Sequence, residues 1–302
     1  MIDAYPLIAV VGPTGSGKSA LALQLAAAFH GEIVNCDSVQ IYTGLDIGSA
    51  KTPEAGRLGI AHHLVDVIKP SDELTAGDYA RKASLALQAI RGRGALPVIA
   101  GGTGFYLRAL LDGLSRAPVR NPELRERLAK VAERRPAALH RFLRKHDAPA
   151  AERIHPNDHQ KLMRAIELAG RVMEPREGLA GFRVLKIGLN PARAALYERL
   201  NLRSRWMFEN GLLAETQGLL NRGVPATAKV FGALGYRQAI GVLTQGWTVE
   251  DAILECQVRT RQYAKRQITW FRGETDVHWL GGFGDEAGVN EEAGWLVRAF
   301  LG

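Results

Sequence analysis

The chain has 302 residues, 46% hydrophobic and 23% charged, with 39 Lys and Arg against 31 Asp and Glu and a net charge of +8. That balance excludes a wholly disordered chain, favours polyanionic partners, and at this length allows one large domain or two ordinary ones. Two cysteines far apart, Cys36 and Cys256, exclude a disulfide framework or zinc site, and no apolar run approaches the roughly 20 residues of a membrane helix. A reducing cytoplasm is the expected setting, and the acidic start Met1-Ile2-Asp3 is unlike an export signal.

Residues 7–11 (LIAVV) form a continuous apolar run, the pattern of a strand buried on both faces, ending at Gly12. Residues 12–19 then fit G-x-x-x-x-G-K-[ST]: Gly12, Pro13, Thr14, Gly15, Ser16, Gly17, Lys18 and Ser19. Between a strand and the helix expected over 19–29, this spacing makes a phosphate cradle, or P-loop. Glycines expose backbone N–H groups, the helix N-terminus and Lys18 supply positive charge, and the Ser19 hydroxyl can hold Mg²⁺. Such a cradle reads phosphate oxygens and not the group attached to them, so ATP is only its default occupant.

A second buried strand at 32–36 ends at Asp37, a helix is expected over 76–91, and a third strand at 96–100 ends in Gly101-Gly102-Thr103-Gly104. Strands alternating with helices predict a parallel sheet with ligands at the carboxyl ends of its strands. Many nucleotide hydrolases place a magnesium-holding Asp after the third strand, and here glycines occupy that position. Asp37 is the carboxylate at this edge. A lone Asp after a strand is more often a turn or cap residue, but its place beside the cradle favours a functional role.

From about residue 116 the strands vanish, Arg and Ala dominate, and Pro118, Pro122, Pro136, Pro149, Pro156 and Pro175 punctuate helical segments. Residues 182–189 return to strand character, followed by helices over 196–210, 212–221, 236–245 and 249–271 and a late strand at 277–280. The expected organisation is therefore an α/β core from 1–116, an all-helical insertion over 117–179, and core completion over 180–302. Positive charge is concentrated: residues 116–177 carry 15 Lys and Arg against 9 Asp and Glu, and residues 255–272 carry 5 against 1. One such stretch is often a solvated helix face, whereas two in one chain favour nucleic acid.

Taken together, the motif at 12–19 and residues 37–42 (DSVQIY), 46–51 (DIGSAK) and 62–66 (HHLVD) resemble the opening of the bacterial tRNA dimethylallyltransferases. The likeness continues, in the same order, through 101–106 (GGTGFY), 154–158 (IHPND), 235–238 (GYRQ) and 261–272 (RQYAKRQITWFR). It implies a P-loop NTPase-like fold with an inserted tRNA-binding domain. The implied activity is transfer of a dimethylallyl group from its diphosphate to the N6 amino group of the adenosine at position 37, beside the anticodon. The cradle would then hold dimethylallyl diphosphate with Mg²⁺ on Ser19, Asp37 would take the N6 proton, Thr103 would stabilise the departing diphosphate, and Arg203 would contact it. The resemblance assigns tRNA contacts to Asp37, Ser38, Val39 and Gln40, to Arg125, and to Gln160, Lys161, Leu162, Met163 and Arg164. It adds Lys265, Arg266, Gln267, Ile268, Thr269, Trp270, Phe271 and Arg272, and implies a monomer with no membrane and no obligate protein partner.

The chain departs from the family pattern in little. Gly15 and Ser19 stand where Ala and Thr are common, which removes neither a backbone donor nor the hydroxyl. Residues 231–234 (FGAL) lack an Arg that relatives often carry, so one tRNA contact is expected to be missing. A small-molecule kinase would leave the basic insertion without a use, a prenyltransferase of free adenylate would need less basic surface, and an RNA-binding protein without catalysis would leave the cradle and Asp37 unexplained.

Overall fold

The computed structural model describes residues 4–114, 121–169 and 178–302. In chain order the elements are β1 (Tyr5–Val11), α1 (Lys18–Ala28), β2 (Gly31–Asn35), β3 (His62–His63), α2 (Ala76–Gly92), β4 (Leu96–Ala100) and α3 (Gly104–Leu111). Then come α4 (Pro122–Arg134), α5 (Ala138–His146), α6 (Ala148–Arg153) and α7 (His159–Leu168). The chain continues with β5 (Phe182–Leu189), α8 (Arg193–Glu209), α9 (Leu212–Asn221), α10 (Tyr236–Gln245), α11 (Val249–Arg272), β6 (Val277–Leu280) and α12 (Ala287–Leu301). No described helix is long and apolar enough to cross a membrane.

The six strands form one sheet in the order β3-β2-β4-β1-β5-β6, every pairing parallel. β5 pairs with the whole length of β1, Ile8 opposite Leu185, so the strand after the insertion re-enters beside the first. Side chains alternate between the two faces of a strand. Leu7, Ala9 and Val11 therefore join one core with α2, α3, α9, α10 and α11, while Ile8 and Val10 join another with Leu21 and Leu25 of α1 and Val289 and Val297 of α12. Helices cover both faces, which is why the central strands read as unbroken apolar runs.

The expected elements of the α/β core form, within one to three residues at their ends. Three others escaped the sequence pattern. β3 is two residues long, α3 begins directly after a glycine-rich turn, and α12 buries a stripe made of Val289, Ala293, Gly294 and Val297, small residues that give a weak apolar period.

The chain divides into two compact units, one of residues 1–111 with 179–302 and the other of residues 112–178. In the second, α4 to α7 pack around Leu139, Leu143, Leu162 and Met163. Asn121 caps α4 by accepting from Leu124 N–H, and Asp147 and Asp158 cap α6 and α7 in the same manner. The expected start of the insertion near 117, its Pro118 and Pro175, and the rest of 115–120 and 170–177 lie outside the described residues.

Candidate active site and nucleic-acid interface

The sheet order places the carboxyl ends of β2, β4 and β1 side by side, and Asp37, Thr103 and the cradle follow those three strands. Cross-bonds fix the edge: Thr103 N–H donates to the Cys36 carbonyl at 3.2 Å, and Ser38 N–H donates to Thr103 Oγ1 at 3.0 Å. Asp37 Oδ1 accepts from Val39 N–H at 2.8 Å and Gln40 N–H at 3.3 Å, an Asx turn that aims the carboxylate. Asn35, buried at the end of β2, accepts from Asp37 N–H and donates to the Leu64 carbonyl at 2.9 Å. It thereby holds the base of that turn.

The cradle wraps as its sequence requires. Gly17 sits at φ +86°, and a Cβ there would stand 2.7 Å from Gly284 N, so only glycine fits the N-terminus of α1. Ser16 is fully buried and donates to the Pro13 carbonyl at 2.9 Å, as does Lys18 Nζ at 2.7 Å. Burial pulls the Lys18 ammonium down to about 8, Asp37 opposing the shift and Arg203 adding to it. Ser19 is exposed.

Arg203, on α8, donates from Nη2 to Thr14 Oγ1 at 2.8 Å, and burial lowers its pKa. It is thus turned into the site and is not a solvated helix face. Thr14, Asp37, Ser38, Val39 and Arg203 open onto one cavity of about 520 Å³. Leu74, Tyr106, Met207, Val230 and Tyr263 supply apolar wall, while Lys229, Arg237, Arg259 and Arg266 bring cations to it. Burial pushes the Tyr263 phenol up to about 12, so it faces the cavity as a neutral group beside Asp37 and Thr103. Such a chamber accepts an anionic head at the Thr14 and Arg203 end, an apolar chain along the wall, and a nucleophile at the carboxylate.

The residues expected to touch tRNA separate by exposure. On α11, Lys265, Arg266, Thr269 and Arg272 are exposed, whereas Gln267 and Phe271 are buried. Ile268 packs against Leu196, Leu200 and Ala264, and Trp270 lies under Arg108 and edge-on to Phe105. In the helical unit, Gln160 and Lys161 are exposed, while Leu162 and Met163 belong to its core. The Phe271, Leu162 and Met163 side chains are therefore core groups, as helical periodicity requires: a consecutive run of residues cannot all face outward. Arg125 and Arg164 converge from α4 and α7 on Glu167, whose oxygens accept at 3.0 and 3.1 Å. Burial alone would raise Glu167, but the Arg164 and Arg125 bonds outweigh it and hold its carboxyl below the usual range.

One residue outside every sequence motif organises the cavity rim. Glu215 of α9 accepts from three successive backbone N–H groups, Asp46 at 2.9, Ile47 at 2.8 and Gly48 at 3.2 Å, and from the Tyr236 hydroxyl at 2.6 Å. The segment it grips carries Gly48, Ser49 and Ala50 of the cavity lining. Nothing in the local sequence marks an acid in the first turn of a helix as more than a favourable charge.

A family model described as IPP transferase matches residues 40–274, and one described as Isopentenyl transferase matches residues 5–65. The chain is 50% identical over 305 residues to the tRNA dimethylallyltransferase of Solibacter usitatus (strain Ellin6076), covering 98% of this chain and 99% of that one. It is likewise 50% identical to that of Koribacter versatilis (strain Ellin345), covering 97% and 98%. Among solved structures, the tRNA isopentenylpyrophosphate transferase of Bacillus halodurans superposes with a TM-score of 0.74 at 34% identity, covering 97% of this chain and 96% of that one. A eukaryotic dimethylallyltransferase acting on tRNA superposes with a TM-score of 0.80 at 27% identity, covering 99% and 80%.

Proposed function

Since the chain belongs to the IPP transferase family, we propose that it transfers a dimethylallyl group from dimethylallyl diphosphate to the N6 nitrogen of adenosine 37 in tRNA. The observation that carries this reading is the shared cavity, where Thr14 of the phosphate cradle, an apolar wall and the Asp37 carboxylate meet. The diphosphate rests on the backbone of the cradle with Lys18 and Arg203, and the prenyl chain lies along the apolar wall. Adenine must leave its stack to enter such a chamber.

In the reaction the N6 lone pair attacks C1 of the dimethylallyl group, the C1–O bond breaks, and its electron pair leaves with diphosphate. The N6 proton passes to the Asp37 carboxylate. Lys18, Arg203 and the Thr103 hydroxyl are placed for the charge that grows on the leaving group, the kind of fixed electrostatic support that outweighs most other catalytic effects. Mg²⁺ would be held by the exposed Ser19 hydroxyl together with substrate oxygens and water. The residues fit that arrangement, because the Ser19 hydroxyl is exposed in the first turn of α1 beside Lys18, and Mg²⁺ keeps several waters and shares phosphate oxygens. Its chemistry there is neutralisation of diphosphate charge.

The exposed cations of α11 and those of the helical unit are assigned to the phosphates of the anticodon arm. A tRNA substrate implies a cytoplasmic setting, and the protein acts as a monomer. The test is to offer radiolabelled dimethylallyl diphosphate with tRNA, with AMP, or alone, followed by mass spectrometry of the nucleosides and parallel measurement of ATP turnover. Label confined to N6-dimethylallyladenosine from tRNA, without ATP consumption, is the expected result. Labelled AMP or a requirement for ATP overturns the reading.

A further inference from the structure

Residues 265–272 of α11 carry the exposed cations Lys265, Arg266 and Arg272, and Gln267 lies among them, yet its side chain points away from their surface. It shares the buried stripe of Thr260, Ala264 and Phe271, and it is only 5% exposed. Its Oε1 accepts from Thr14 N–H at 2.7 Å, and its Nε2 donates to the Gly102 carbonyl at 2.7 Å. One side chain thus joins the cradle after β1 to the turn after β4, across sequence separations of 253 and 165 residues. A Cβ on Gly102 would stand 2.2 Å from Gln267 Nε2, so the turn has no side chain where the amide passes.

We propose that Gln267 is a positioning residue for the diphosphate cradle and not a tRNA contact. Its bond fixes the Thr14 peptide while Arg203 fixes the Thr14 hydroxyl from α8, so two helices set the conformation of the same cradle residue. Gly102 leads directly into Thr103, so the same amide sets the spacing between the cradle and the group assigned to the departing diphosphate. Substitution by an apolar side chain leaves a buried N–H and a buried C=O without partners, and the cradle relaxes to satisfy them. Lys265 and Arg266, the neighbours that do face outward, keep their surface because the helix itself is held by Ala264 and Phe271.

The inference rests on the reading that the cradle binds the prenyl diphosphate, and the experiment separates the two. Gln267→Met keeps the volume and removes both bonds. At saturating tRNA its KM for dimethylallyl diphosphate, and the Ki of inorganic diphosphate as competitor, are expected to rise about tenfold, the factor that 1.4 kcal/mol represents. The kcat should change less than KM, and tRNA affinity measured by filter binding should stay within about twofold, which also reports that the chain is folded. Lys265→Ala should give the reverse pattern. If Gln267→Met proves unstable, Gln267→Glu serves: it still accepts from Thr14 N–H but cannot donate to Gly102, and it puts an anion at the cradle, so KM rises at least as far. Unchanged KM and Ki, or loss of tRNA affinity alone, overturns the positioning role. Failure of diphosphate to compete with dimethylallyl diphosphate in the unaltered protein overturns the underlying reading of the cradle instead.

Discussion

Asp37 combines two tasks that a substitution can pull apart. Its Oδ1 holds the Asx turn through Val39 and Gln40, while the carboxylate as a whole faces the cavity. Asp37→Ala removes both, whereas Asp37→Asn keeps an oxygen for the turn and cannot accept a proton from N6. General-base help typically contributes 10²- to 10⁴-fold, so single-turnover rates of the Asn variant should fall by about that range with tRNA affinity little changed, since phosphate contacts dominate binding. A wild-type rate in the Asn variant would refute the base role. Lys18 gives a second test at this scale. Its ammonium titrates near 8 and is charged below that pH, so KM for dimethylallyl diphosphate should rise as pH climbs through about 8 in the steady state, and a KM flat to about pH 9.5 would show that the charge is not used. Both residues were legible in the sequence, Asp37 from its place after a strand and Lys18 from the spacing of the phosphate cradle. Asn35 was not, and Gln267 was marked only as a tRNA contact, since the bonds each makes reach partners 29 and 253 positions away.

At the scale of elements, the sequence revealed what periodicity can reveal. Long apolar strands and long amphipathic helices were legible, and α3, α12 and the two-residue β3 were not, because a short or small-residue stripe carries little signal. The rim segment 46–51 was legible as a motif but not as a structure. It has no regular element of its own and depends on the carboxylate of Glu215, with Lys51 tying it to Asp46 and Asp66. A Cβ on Gly48 would meet the Tyr236 ring at 2.5 Å, so the segment packs against the phenol that shares Glu215. Glu215→Ala orphans three backbone donors and should cost roughly 1–3 kcal/mol in a denaturant titration. Because the segment lines the cavity, tRNA KM should rise along with the lost stability. Glu215→Gln keeps one acceptor oxygen but turns an NH2 donor toward the pair of donors that the other oxygen served, so it should recover only part of both, whereas full recovery would mean that one oxygen suffices to hold the rim.

At the scale of the molecule, the α/β unit closes without its insertion: Leu179 N–H donates to the Leu111 carbonyl at 3.0 Å, so the two ends that flank the helical unit meet. Replacing residues 113–177 by a short Gly-Ser linker therefore spans almost no distance, and loop-closure entropy favours the short connection. The shortened chain should unfold cooperatively and retain diphosphate affinity, because every cradle partner described above lies in residues 1–111 or 179–302. Its tRNA affinity should fall, and the salt dependence of what remains distinguishes the reason. Each phosphate deprived of its cation lowers the log-log slope of affinity against salt by about 0.7 to 0.9. Arg125→Ala and Lys161→Ala, changed one at a time in the full chain, should each lower it by about that step, and the deletion by several. Arg125→Ala also strips Glu167 of one of the two cations that converge on it, so its loss of affinity should exceed that of Lys161→Ala, whose exposed side chain pairs with Asp158. If the deletion leaves the slope at its full-length value, the positive charge of the helical unit is idle surface, and tRNA is gripped by α11 and the cavity rim alone.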